Sequence, residues 1–470
     1  MMDPAIYDEA DSFRDSISTI SKDGNRNWIF PKKPKGRFYD RRTLFSYFLL
    51  AVMFVGPFIK LNGHPFMLLN VVERKFILFG IAFWPQDFYL FVLAMLTFVV
   101  FIIVFTALFG RLWCGWACPQ TIFMEMVFRK IEYWIEGDAA QQKALKNAPP
   151  SPEKFRKRIL KGSIFFLISF IIANTFLAYI IGIDELKQIV LDDPSNHVGG
   201  LIAILVFTFV FFAVYMRFRE QACLIVCPYG RLQGVLLDKN SVVIAYDYKR
   251  GEPRGKLQKT AESKFGDCID CHQCVNVCPT GIDIRNGTQL ECVNCTACID
   301  ACDGIMDKIK KPHGLIRYTS ENAIAEGTKF QITGRIKAYS FVLFVLLTTL
   351  LSLLIMRSDV ESTILRTPGM IYQQQNDSIY SNLYTVNLIN KTFDQMPVEI
   401  KLVQPSGSVK WVGNGITKLE GQGSADGEFF VMINQNQIVN ARLPIVLEVK
   451  SGNKIIETIK TNFIGPVKIK

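Results

Sequence analysis

Eight of the twelve cysteines form two runs with the spacing of iron-sulfur ligands. Each run reads C-x-x-C-x-x-C-x-x-x-C, followed by proline in the first copy and aspartate in the second. Gaps of two residues let three thiolates wrap one cubane cluster, while the fourth cysteine reaches the other cluster. The predicted ligand sets for two 4Fe-4S clusters therefore interleave: Cys268, Cys271, Cys274 and Cys302 for the first, and Cys292, Cys295, Cys298 and Cys278 for the second. Zinc ribbons use two separated pairs, so the spacing disfavours zinc.

The other four cysteines form a second constellation of two C-x-x-x-C-P motifs. Cys114 and Cys118 belong to the first motif, and Cys223 and Cys227 to the second. Residues i and i+4 of a helix share a face, so each pair could present two sulfurs, and two copies could bring four together. Soft thiolates suit copper(I), zinc or another cluster. The alternative is that these cysteines only pack tightly between helices.

Five apolar stretches approach the roughly 20 residues that a helix needs to cross a bilayer. They cover residues 43–59, 88–109, 163–183, 201–216 and 338–356. Lysine and arginine are concentrated in the N-terminal arm and in residues 129–161 and 217–337, whereas the loops 60–87 and 184–200 contain few. The positive-inside rule then predicts that the N-terminus and the cysteine runs are cytoplasmic and the C-terminus is outside.

The predicted organisation has five parts, in an α-helical membrane bundle with an inserted bacterial-type two-cluster ferredoxin domain and a C-terminal β-sandwich. These parts are an N-terminal arm (1–42), a four-span membrane domain (43–239), a ferredoxin-type domain (240–337), a fifth transmembrane helix (338–356) and the sandwich (357–470). The sandwich is predicted because residues 384–390, 398–403, 429–433 and 445–449 alternate apolar and polar side chains between turn-forming residues.

The net charge of +11 raises the question of nucleic acid. The basic residues gather beside the apolar stretches, which is typical of cytoplasmic loops of membrane proteins, so no nucleic-acid partner is predicted. The bilayer itself is the partner that the composition indicates.

Several motifs together carry a family resemblance. They are PQDF at 85–88, GRLWCGWACPQT at 110–121, CLIVCPY at 223–229, the twin cysteine runs and GLIRY at 314–318. The chain resembles the CcoG/FixG/RdxA cytochrome c oxidase accessory proteins. The resemblance implies a bacterial inner-membrane protein with a periplasmic immunoglobulin-like domain, which helps to mature a cbb-type cytochrome oxidase by reducing copper(II) to copper(I). Copper ions and the oxidase or its copper chaperones would then be partners.

Our working hypothesis is that a cytoplasmic donor, which the sequence does not identify, reduces one cluster. The electron then passes to the second cluster and to copper at a candidate copper or redox site formed by Cys114, Cys118, Cys223 and Cys227. Two other interpretations remain open. One is a quinol-oxidising polyferredoxin that relays electrons to a partner enzyme, and the other is a redox-sensing assembly scaffold. A homo-oligomer is compatible with each of them.

Overall fold

The computed structural model describes residues 19–20, 23, 25–71, 75–256, 265–327, 332–369, 371–376, 378–452 and 454–466. These residues divide into two compact units. The first comprises the described residues up to Pro57 together with Leu93–Ala178 and Ile183–Thr348. The second comprises Phe58–Val92, Tyr179–Gly182 and the described residues from Thr349 onward.

Four helices in the described residues are long and apolar enough to cross a membrane: Pro85–Phe109, Pro152–Ile181, Val198–Phe218 and Gly334–Ile355. They coincide with the second to fifth predicted stretches, and they make this a membrane protein. The first predicted stretch, 43–59, lies on the helix Arg37–Val55. This helix does not join the group because charged residues such as Asp40 and Arg42 occupy its first turns, so the first predicted span is not confirmed.

The region of the cysteine runs is built on one pair of antiparallel strands, Val243–Tyr246 and Ile316–Thr319. Between these strands, the short helix Gln273–Asn276 and the helix Ala297–Lys308 each begin inside a cysteine run. The smaller helices of this unit, including three π-helical segments, are Leu112–Trp116, Pro119–Ile122, Phe123–Phe128, Arg129–Ile135, Ala139–Asn147, Ile183–Leu191, Val214–Phe218, Ala222–Val226, Pro228–Leu236, Tyr248–Gly251, Ile284–Asn286 and Glu321–Glu326.

The connection between the first two predicted spans is more ordered than the loop that the sequence predicts. It folds into short strands: Lys60–Leu61, His64–Pro65, Met67–Asn70, Lys75–Leu78 and Ile81–Phe83. Leu68, Ile77 and Ala82 are buried there and pack with Phe393 of the C-terminal region. These strands are only two to four residues long, which is too short for a clear alternating pattern in the sequence.

The C-terminal region is an antiparallel β-sandwich, as predicted. One sheet contains Gly407–Trp411, Ser424–Asn434, Ile379–Asn390 and Val360–Arg366 in that order, with Gln373–Asn376 also paired to Ile379–Asn390. The other sheet contains Glu399–Gln404, Arg442–Ser451 and Lys454–Ile464. Alternate residues of both sheets, among them Tyr384, Phe429 and Leu447, are fully buried in one shared core. A further short pair joins Met396–Pro397 to Lys418–Leu419.

Candidate metal centres

The two cysteine runs have the same unusual backbone. Asp270 and His272 in the first run, and Asn294 and Thr296 in the second, all have positive φ angles between 52° and 68°. In each run these are the second and fourth residues after the first cysteine. Positive φ is uncommon outside glycine, so its recurrence at matching positions shows that both loops curl in the same way. A loop with this curvature can surround a metal centre that is bound by its cysteines.

The structure groups the eight cysteines around two cavities. One cavity is lined by Cys268, Cys271, Cys274 and Cys302. The other is lined by Cys278, Cys292, Cys295 and Cys298, with Cys274 also at its edge. These are the groups that the interleaved spacing predicts. In the part of the chain that the structure describes, no three His, Cys, Asp or Glu side chains converge as ligands of a single metal ion. Four thiols at each cavity, three of them with two-residue gaps in the sequence, match the ligand set of a 4Fe-4S cluster.

Burial controls the chemistry of these thiols. It raises the pKa of Cys292 and of Cys302 to about 12, and that of Cys295 to about 11. A thiol with so high a pKa is protonated at neutral pH unless a bound cation stabilises the thiolate. The residues present therefore fit iron, because binding iron would compensate the cost of placing thiolates in apolar surroundings.

Each C-x-x-x-C-P motif is interrupted before its proline. Cys118 and Cys227 are both extended, with ψ angles of 124° and 113°, and in both motifs the following proline begins a new helix. Proline disfavours helical geometry at the residue before it, which explains the break. The expectation that each cysteine pair shares the face of one helix is therefore wrong. The two motifs nevertheless repeat this break and the helix start that follows it.

The four cysteines of these motifs lie in one neighbourhood. Burial raises the pKa of Cys223 to about 12, and the nearby thiols of Cys118, Cys114 and Cys227 contribute to the same rise. The helix Pro228–Leu236 packs closely on Cys223, and this packing requires Gly230, because a Cβ atom there would lie 2.7 Å from the carbonyl oxygen of Cys223. The structure thus brings together the candidate copper or redox residues, although from separate short helices.

The first C-x-x-x-C-P motif packs directly on the second cysteine run. A Cβ atom at Gly115 would lie 2.5 Å from the carbonyl oxygen of Asn294 and 2.6 Å from that of Val293. Arg42 ties the two segments together, since its Nε donates to the carbonyl of Gly115 at 2.6 Å and its Nη1 to that of Cys295 at 3.4 Å. This contact joins the two constellations into one site.

The two cysteine runs differ in exposure. In the second run, Asn294 and Thr296 are 2% and 0% exposed. In the first run, the side chains of Asp270 and His272 are 38% and 55% exposed. The loop 268–274 therefore faces solvent, whereas the loop 292–298 is covered by its surroundings, including Gly115.

Comparison with known proteins agrees with this geometry. A 4Fe-4S dicluster domain model matches residues 218–321, a 4Fe-4S binding domain model matches 91–137, and the model of the IG-like fold at the C-terminal of FixG matches 350–466. Protein RdxB of Cereibacter sphaeroides is 36% identical over 405 residues, which cover 82% of this chain and 83% of RdxB. The chain belongs to the FixG/RdxA family.

Other relatives of this FixG/RdxA-family protein align over less of their length. Nitrogen fixation protein FixG of Rhizobium meliloti is 36% identical over 320 residues, which cover 66% of this chain and 60% of that protein. A crystal structure of a FixG-related protein from Vibrio parahaemolyticus aligns with 24% of this chain and 100% of that chain, at 16% identity and a TM-score of 0.19.

With its 4Fe-4S domains, the family member described here is an iron-sulfur electron-transfer protein.

One group of buried ion pairs in this family member was not predicted from the sequence. Glu132, which is buried, accepts two hydrogen bonds from Arg219 at 2.9 and 2.5 Å, and buried Arg129 pairs with Glu125 at 2.9 Å. Arg219 lies just before the second C-x-x-x-C-P motif, and Glu132 follows the first. The pair of Glu132 with Arg219 therefore joins the helix that follows the first motif to the residues just before the second motif. A signal existed, because charges at 125, 129 and 132 recur at helical spacing in an otherwise apolar segment.

Proposed function

We propose that this FixG/RdxA-family protein passes single electrons to copper(II) and delivers copper(I) for the maturation of a cbb-type cytochrome c oxidase. The observation that carries the proposal is the contact of Gly115 with the loop 292–298, which puts a motif with two soft thiols beside a cysteine run. The 4Fe-4S clusters, when bound, supply one-electron chemistry. Their proposed ligands are Cys268, Cys271, Cys274 and Cys302 for the first, and Cys278, Cys292, Cys295 and Cys298 for the second.

The difference in exposure supports a direction for the reaction. The solvent-facing loop 268–274 offers an external donor a place to dock, whereas the covered loop 292–298 is reached by Cys114, which packs against a buried group that includes Val293 and Cys295. We therefore assign donor docking to the first run and the encounter with copper to the C-x-x-x-C-P motifs.

The buried thiols favour the product of the reduction. Copper(I) is a soft cation that prefers thiolate ligands, and it can replace the proton on a thiol that burial keeps protonated. Burial raises the pKa of Cys114 to about 11 and that of Cys223 to about 12. In the proposed reaction, copper(II) gains one electron, becomes copper(I) and is held by Cys114, Cys118, Cys223 and Cys227 until it is released.

The proposed topology has five spans, with the helix Arg37–Val55 as the first. Its apolar side chains Leu44, Phe48 and Val52 are exposed in the structure, as expected for residues that face lipid. With five spans and the observed distribution of basic residues, the ferredoxin-type region is cytoplasmic and the β-sandwich periplasmic, in the inner membrane of a bacterium.

The central experiment is anaerobic purification with metal analysis, followed by mixing the dithionite-reduced protein with copper(II). Two clusters correspond to about eight irons per chain. We expect rapid reoxidation and formation of copper(I), which is read with a chromogenic copper(I) chelator. Serine at all four positions 114, 118, 223 and 227 should abolish copper(I) formation while the iron content stays unchanged.

The matched control is Ala117→Ser, which adds a hydroxyl inside the first motif and removes no sulfur. It should reduce copper at the rate of the unaltered protein. Undiminished reduction by the four-serine variant would reject the assignment of copper to these cysteines.

A second candidate function is an electron relay without copper, in which the four cysteines hold a further iron-sulfur cluster. It is favoured by the match of residues 91–137 to a 4Fe-4S binding domain, since this range includes Cys114 and Cys118. Metal analysis separates the candidates, because a third cubane would raise the iron content to about twelve per chain. Reduction by quinol together with slow reoxidation by copper(II) would favour the relay.

A further inference from the structure

An open cleft of about 370 Å³ lies in the first unit, at the ends of two candidate spans. Arg158 comes just before the apolar part of the helix Pro152–Ile181, and Arg217 lies at the end of Val198–Phe218. Trp28 of the N-terminal arm and Lys146 of the helix Ala139–Asn147 complete the lining. Basic and aromatic side chains at the ends of spans are characteristic of the level where lipid headgroups meet water.

The cleft carries more positive charge than its carboxylates neutralise. Its cationic lining residues are Lys146, Arg158, Lys161, Arg217 and Arg219. Lys161 pairs with Glu136 at 2.7 Å, and Arg219 pairs with Glu132 at 2.5 Å. The other three cations have no carboxylate partner among the residues that the structure describes. Three unneutralised charges thus border one cleft.

Two of these three cations, Arg217 and Lys146, lie around the indole ring of Trp28 together with Arg26 and Arg219. Arg26 and Arg219 are paired with Glu220 and Glu132, whereas Arg217 and Lys146 are not paired with a described carboxylate. The guanidinium of Arg26 lies 4.0 Å from the ring centroid of Trp28, those of Arg219 and Arg217 lie at 5.7 and 5.8 Å, and the ammonium of Lys146 lies at 6.0 Å. The face of the ring attracts each cation, but the cations repel one another. An anion bound in the cleft would relieve this repulsion.

Apolar side chains are exposed immediately beside the surplus charges in the sequence. Ile159 follows Arg158 and is 51% exposed, and Phe218 follows Arg217 and is 46% exposed. A free phosphate ion would use only the charges, whereas a phospholipid would use both the charges and the apolar surface. The combination favours a lipid.

We infer that this cleft binds the phosphate headgroup of an acidic phospholipid from the surrounding bilayer. Basic pockets between membrane helices recognise anionic headgroups in this way. Lys146, Arg158 and Arg217 contact the phosphate, and the acyl chains follow the exposed apolar residues of the two spans. The proposed phosphate contacts Lys146, Arg158 and Arg217 have no role in the copper proposal.

The test is native mass spectrometry of the full chain in detergent, titrated with dioleoyl phosphatidylglycerol, with dioleoyl phosphatidylcholine, or with inorganic phosphate as competitor. The main variant is Lys146→Gln with Arg158→Gln. Its control, Lys143→Gln with Arg156→Gln, removes two exposed charges from the same two helices outside the cleft lining. Arg217→Gln, from a different helix, provides a second probe of the cleft.

We expect one phosphatidylglycerol per chain to stay bound to the unaltered protein and to the control. The main variant should bind it 10- to 30-fold more weakly, from about fivefold per lost charge reduced by screening. Arg217→Gln should also weaken binding, and the iron content should be unchanged in both. Equal weakening by the control, or equal binding of phosphatidylcholine, would overturn the inference. Displacement of the lipid by equimolar inorganic phosphate would also overturn it, because the site would then be one for a free anion.

Discussion

The contact of Gly115 with the loop 292–298 leads to a prediction that can be worked out in detail. In Gly115→Ala, the new Cβ atom would lie 2.5 Å from the backbone oxygen of Asn294. Ordinary contacts between carbon and a carbonyl oxygen begin at about 3.3 Å, so the two segments must separate by roughly 0.8 Å. Backbone atoms cannot swing aside as a flexible side chain can. Forcing such a methyl into a packed interface costs about 1–3 kcal/mol.

The assay is stopped-flow mixing of the reduced protein with copper(II), with reoxidation followed in the visible absorbance of the clusters. Electron transfer slows as the gap between donor and acceptor widens, but it needs no bond-forming alignment, so we expect Gly115→Ala to be several-fold slower with unchanged iron content. The control is Gly304→Ala on the helix Ala297–Lys308, where a Cβ atom meets nothing within 4 Å. Reoxidation of Gly115→Ala at the unaltered rate, or equal slowing of both variants, would refute the role of this contact.

Three further predictions concern stability. Glu132→Gln removes the closest countercharge of buried Arg219 and leaves only Glu220, at 3.8 Å, so we expect a loss of about 3 kcal/mol in unfolding free energy, measured by denaturant titration in detergent. Burial opposes the ionisation of Glu132, but the attraction of Arg219 and other cations is stronger and lowers the pKa of this carboxyl. The ion pair therefore stabilises the fold at neutral pH, and this stabilisation is lost as pH falls below about 4. In the variant, unfolding free energy should accordingly fall less steeply with acidification. Tyr318→Phe removes the partner of the Trp116 indole N–H, 3.1 Å away, and should cost about 1–3 kcal/mol; an unchanged melting temperature would contradict this role. Phe429→Ala opens a cavity in the sandwich core and should cost that region about 3–5 kcal/mol, seen in calorimetry of the full chain, while the visible absorbance of the clusters stays intact.

The features that the sequence predicted well are those that local patterns encode. Alternation of apolar and polar residues marked the strands around Tyr384 and Phe429, and uninterrupted apolar runs marked four membrane helices. The spacing of the two cysteine runs grouped the eight thiols as the cavities do, because two-residue gaps constrain a loop strongly. Their role as cluster ligands stays a prediction.

The features that were missed depend on contacts between distant segments. The charge spacing around Glu132 was visible in the sequence, but its pairing with Arg219 was not, and neither was the packing of Gly115 on Asn294, since the folded geometry determines each partner. The break in the first C-x-x-x-C-P motif is different, because it could be predicted from Pro119 alone. Proline disfavours helical geometry at the preceding residue, so one continuous helix through Cys118 should not have been expected. The first predicted span was not confirmed because charged residues in the first turns of the helix Arg37–Val55 shorten its apolar part.

The start of the helix Arg37–Val55 has a consequence for how the protein is made. The backbone N–H groups of Phe38 and Tyr39 donate to the carboxylate of Asp300, at 3.1 and 2.7 Å, across separations of 262 and 261 residues. The ribosome has therefore synthesised most of the membrane helices before the group that completes this helix end exists. Asp300 lies between Cys298 and Cys302, so the N-terminal end of this helix is capped only when the second cysteine run has folded. During synthesis, the N-terminal end of this helix therefore obtains its capping carboxylate only after a much later part of the chain has been made.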